Sequence, residues 1–177
     1  VHELDAPHAA HRGADVNPPL GLEGPRDGEA WSLAHAALDV ARHSDIGFHL
    51  LDRIYGTRIV LTRDPDEALA AVHEAEESVR GPLETCPGCR ITFAVPAAIA
   101  AARAGAIELA NDYGRKTQWL ADVVMRLPAW DAALDEVRGH IASANGDPRG
   151  ASERFDRAAR RFDEAGHPLD ARRCRDG

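Results

Sequence analysis

The segment Ala104-Gly105-Ala106-Ile107-Glu108-Leu109-Ala110 returns in outline as Asn145-Gly146-Asp147-Pro148-Arg149-Gly150-Ala151. Gly105 and Gly146 stand 41 positions apart, as do Ala110 and Ala151, while Pro128 and Pro168 stand 40 apart. One cycle earlier, Asp64-Pro65 matches Asp147-Pro148, and Ala68 lies 42 positions before Ala110. A unit of about 41 residues therefore occurs at least twice, with a third copy in outline. A period of this size marks a helical-repeat array, because one helix pair cannot bury its apolar face alone and must stack on a neighbour.

The 177 residues are enough to bury a core as one domain. Aromatics make up only 5% of the chain, so alanine fills many apolar positions. Alanine favours helices and packs poorly on a pleated sheet. The expected fold class is all-α, with antiparallel helix pairs stacked side by side, seven or eight helices in total.

With 21 basic against 29 acidic residues the net charge is -8, which repels a phosphate backbone and argues against direct nucleic-acid binding. Lys116 is the single lysine, an arginine preference that fits codon bias in a GC-rich bacterial genome. No N-terminal stretch couples positive charge to an apolar run, so no secretory signal is expected. The most apolar region, Phe93 to Ala110, is interrupted by Pro96, Arg103 and Gly105 and falls short of a membrane span. A cytoplasmic location is the default expectation.

Residues 1–28 carry Pro7, Pro18, Pro19 and Pro25 with few apolar side chains and no period. They read as an irregular or flexible leader before a helical-repeat domain at 29–177. The first helix is expected from Glu29, and Ser44 or Asp45 can cap the second. Asp64-Pro65 is a compact helix start and Gly81-Pro82 a stop. Pro82 to Gly105 covers 23 positions against 18 for Pro128 to Gly146, so the stretch around Thr85 to Cys89 is expected as an enlarged loop or helix start. Pro96 is expected to interrupt or begin a helix. From Ile107 the apolar stripe reads Leu109, Ala110, Tyr113, Thr117, Leu120, Ala121, Val124, and the chain stops one or two turns into a further unit after Pro168.

The run Gly139, Ala142, Gly146, Ala151, Phe155, Ala158 resembles the spacing of small residues and an aromatic in tetratricopeptide repeats, with a longer second helix. The stretches Ala144 to Asp147 and Phe162 to Cys174 are similar to the helical-repeat region of large bacterial, especially actinobacterial, regulators of the LuxR type. Those proteins join an ATPase module, a helical-repeat sensor and a terminal helix-turn-helix domain. The resemblance is specific from Pro128 onward. It implies a tetratricopeptide-like superhelix and the sensor or scaffold part of a transcriptional regulator, without the phosphate-binding loop or the DNA-reading domain.

Cys86-Pro87-Gly88-Cys89 is the one motif with reactive potential. The pair offers two thiolates to zinc, with Cys174 and one of His35, His43, His73 or His140 as further ligands; equally it can form a structural or a redox disulfide. Against zinc stands the lack of a second C-x-x-C or an H-x-x-x-H. Most of the nine histidines read as solvated or capping groups. Trp119 and Trp130 read as core, and Glu74, Glu76 and Glu77 as a hydrated face. No nucleophile, base and orienting acid assemble around Asp112, Tyr113, Arg115 and Lys116, so no catalytic residue is assigned. The leading expectation is a non-catalytic module that binds a protein or peptide, its concave face including Ala133, Glu136 and His140, with homodimerisation left open. The alternative is a metal- or redox-responsive sensor at Cys86 and Cys89.

Overall fold

The computed structural model describes residues 27–44, 47–79 and 86–176, and these are helical apart from their connections. In order they are α1 (Asp27–Arg42), α2 (Phe48–Leu61), α3 (Pro65–Val79), α4 (Pro87–Arg103), α5 (Ile107–Trp119) continued by a π-helical segment (Leu120–Met125), α6 (Pro128–Ala144), α7 (Pro148–Glu164) and α8 (Pro168–Asp176). The all-α expectation holds. Of the leader expected at 1–28, residues 1–26 lie outside the described residues, as does the stop at Gly81-Pro82, and Asp27 and Gly28 belong to α1, which begins two positions before the expected Glu29.

The repeat frame is written in the helix ends. Asp64 Oδ1 accepts the backbone N–H groups of Asp66 (3.0 Å) and Glu67 (2.9 Å), and Asp147 Oδ1 accepts that of Gly150 (2.9 Å), so two Asp-Pro pairs cap α3 and α7 in the same way. Gly105 and Gly146 adopt φ 74° and 76° at the ends of α4 and α6. Each leads into the same closing bond, Ala106 N–H to Ala101 O (2.8 Å) and Asp147 N–H to Ala142 O (3.0 Å). Only glycine takes that left-handed position without steric cost.

Two expectations are corrected here. The N-cap of α2 is Gly47 rather than Ser44, and Asp45 lies outside the described residues. The cysteine motif forms a helix start, as expected: α4 begins at Pro87, which stands 18 positions before Gly105 as Pro128 does before Gly146, and the five extra positions fall ahead of it, where seven residues separate α3 from α4 against two between the π-helical segment and α6. Pro96 does not break α4, which runs through it to Arg103. Proline cannot bond the carbonyl four residues back, which leaves the Thr92 oxygen turned outward. Gly56 of α2 receives it, for a Cβ on Gly56 would sit 2.2 Å from Thr92 O.

Helices α2, α4 and α6 pack side by side in chain order, α3 and α5 each bridge consecutive members of the row, and α7 packs on α6 at its end. α1 covers α2, and α8 packs on α7. α4 is central: Ile91, Phe93, Ala94, Val95, Ala97 and Ala98 are all at most 1% exposed. A helix apolar on every side must be enclosed on every side, and its alanines let the neighbours approach closely. None of the described helices is long and apolar enough to cross a membrane.

Candidate functional site

The row of even-numbered helices leaves a cavity of about 290 Å³. Its walls are Ile59 and Val60 of α2, Val95, Pro96 and Ile99 of α4, and Phe155 of α7. Its polar groups are Arg103, Glu136, His140 and Arg173, with Cys174 beside them. Two of the residues expected on a concave face, Glu136 and His140, therefore line one cavity. Ala133 does not join them. It is 1% exposed inside the main core, because so small a side chain lets neighbouring helices close over it.

The charges around the cavity are ordered by burial. Arg173 donates two parallel bonds to the Glu136 carboxylate, both 2.7 Å, and a third of 2.5 Å to Asp170. Burial alone would weaken the Arg173 charge, but its bonds to Glu136 and the nearby Asp170 outweigh it and hold the guanidinium above its usual range. Glu136 is only 1% exposed, so this bidentate pair is what makes its charge tolerable. His140 packs edge-on against the Phe155 ring at 4.9 Å. Burial, helped by the positive charges of Arg103 and Arg173, pushes its pKa down to about 4, so the imidazole is neutral at pH 7. Arg103 sits at the rim, exposed, donating to Arg63 O at 2.8 Å. With Glu136 and Asp170 offsetting Arg173, the cavity presents an apolar floor, a neutral imidazole and a cationic edge.

The cysteine motif occupies a separate place. Cys86 is the N-cap of α4, its carbonyl accepting the N–H groups of Cys89 and Arg90, both at 2.9 Å. Both thiols are free, Cys86 exposed and Cys89 half-buried. The N–H of Cys89, its thiol and the N–H of Gly88 all point at the Cys86 sulfur and lower its pKa, whereas burial raises that of Cys89. Toward zinc the pair supplies two of the usual four donors, and among the described residues no group of three His, Cys, Asp or Glu side chains converges. Cys174, expected as a third ligand, lines the other cavity together with α4 residues that stand at least nine positions, about 14 Å, beyond Cys86, and burial pushes its pKa up to about 12.

Other expectations shift with the packing. Glu77 is exposed as expected, but Glu74 and Glu76 are half-buried and engaged: Glu74 accepts from Arg42 (2.8 Å), Arg58 (2.6 Å) and Tyr55 (3.2 Å), and Glu76 from Arg90 and Tyr113. Arg90 also binds Asp52 at 2.8 Å, which ties α2, α3, α4 and α5 together. Asp135, 1% exposed, holds Arg157 and Arg161 of α7, each at 2.7 Å. A pair of acids set among Ala132, Ala133, Leu134 and Val137 was the available signal, since such a stripe cannot turn both of them to water. Trp130 packs on the core as expected, but Trp119 is 55% exposed beside a shallower concavity of about 410 Å³ between α5 and α6.

Comparison with family models, with characterised proteins and with solved structures finds no match to this chain.

Proposed function

We propose that this chain is a non-catalytic, tetratricopeptide-like binding module that takes a protein or peptide segment in the cavity beside α2, α4, α6 and α8. On the sequence resemblance it serves as the sensor or scaffold part of a bacterial LuxR-type transcriptional regulator. The observation that carries the reading is the pairing of an apolar cavity with one cationic rim group, Arg103, while the interior charges of Glu136 and Arg173 neutralise each other. Such a surface suits an apolar side chain followed by a carboxylate, in the manner of peptide grooves that anchor one residue and orient the next. The ordered succession of side-by-side helices and the repeated caps support the stacked-pair architecture on which such grooves depend.

Selection from a displayed peptide library, followed by calorimetry on the chosen sequence, tests it. Saturable one-to-one binding is expected, weakened about tenfold or more by Arg103→Glu, since reversing a rim charge opposes an acidic ligand. Failure to select any saturating peptide, or affinity indifferent to Arg103→Glu, contradicts the assignment.

A further inference from the structure

Nothing in the peptide-binding reading uses the first turn of α4. We propose that Cys86 and Cys89 form a reversible dithiol–disulfide site for low-molecular-weight disulfides, with Cys86 the entering thiol and Cys89 the resolving one. Residues three apart in a helical first turn have Cα atoms about 5 Å from each other, within the Cα range a disulfide spans, so a local adjustment of the two side chains and the first turn suffices for closure. The Cys89 N–H closes onto the Cys86 carbonyl at 2.9 Å, which holds the two residues in one turn. Their exposure differs in the order the roles require: Cys86 is open to a reagent, and Cys89 stands behind it, half-buried. Glycine at 88 keeps the approach open, since a Cβ there would stand 3.8 Å from the Cys86 sulfur and 3.4 Å from the Met125 sulfur.

The chemistry closes without a further reagent. The Cys86 thiolate attacks one sulfur of the small disulfide; the new S–S bond forms, the old one breaks, and one small thiolate leaves and takes a proton from water. The Cys89 thiol then gives up its proton and attacks the Cys86 sulfur, forming the Cys86–Cys89 bond and expelling the second small thiolate. Two protein thiols are oxidised by two electrons and one small disulfide is reduced to two thiols. Cys174 is the internal reference, because it is 4% exposed and stays protonated.

The test uses the full chain with oxidised glutathione, acid quenching, alkylation and intact-mass analysis, with circular dichroism confirming that each variant is folded. Wild type is expected to lose two hydrogens with Cys174 still alkylated, and to recover both thiols on reduced glutathione. Cys89→Ser is expected to stop at a glutathione adduct on Cys86, forming about tenfold faster than any adduct on the Cys86→Ser variant. Two results overturn the proposal: equal adduct rates on the two variants, or a wild-type chain that accumulates the Cys86 adduct without closing the internal bond. The outcome is independent of whether a peptide binds between α4 and α6.

Discussion

At the scale of the residue, His140 is the most informative side chain. Its folded-state pKa of about 4 lies below the ordinary 6.5, so between those values the unfolded chain binds more protons than the folded one. Stability is therefore fully present above the window and lost as pH falls through it, by about 2 kcal/mol at pH 5. Urea unfolding of wild type and His140→Gln at pH 7 and pH 5 is expected to show a smaller acid-side loss in the variant by about that amount; identical losses would place His140 in water. Glu74 and Glu76 do not confuse the comparison. Burial raises their pKa values, but their arginine and tyrosine partners more than offset it, so both stay below the usual carboxylate range and titrate alike in the two proteins. Sequence could place Glu136 and His140 on one helix face, because helical spacing is a local property. It could not show that Arg173, 37 positions later, neutralises Glu136, nor that Ala133 on the same face is sealed beneath its neighbours.

At the scale of the element, α4 shows how a local rule yields to packing. Pro96 alone predicts a break, yet Gly56 on the facing helix accepts the displaced Thr92 carbonyl. Gly56→Ala should therefore destabilise the protein by roughly 2 kcal/mol or more, although alanine is the better helix former by about 1 kcal/mol, because the clash is with backbone that cannot swing aside. Thermal unfolding measures it, and an unchanged or higher Tm would refute the close α2–α4 crossing. The apolar stripe of α5 was legible as far as Ala121. Beyond it the π-helical turn, closed by Arg126 N–H to Ala121 O at 2.9 Å, shifts the register by one residue. Val124, expected inside, is 37% exposed, and Met125 packs on the core in its place. No spacing rule applied to one segment reveals that insertion.

At the scale of the whole molecule, the 41-residue period was visible in glycines and prolines because helix ends demand those residues for reasons that do not depend on distant contacts. The all-helical fold followed from it. The cavity did not, since its lining comes from α2, α3, α4, α6, α7 and α8 and exists only once the row is assembled. Two concavities compete as the binding surface: the enclosed one holding His140, and the open one beside Trp119. The nuclear magnetic resonance spectrum of the chain, titrated with the selected peptide, separates them in a single experiment. The account predicts that the His140 ring signal shifts and saturates with the calorimetric affinity while the Trp119 indole signal stays still. A shift confined to Trp119, with His140 unmoved, would contradict it.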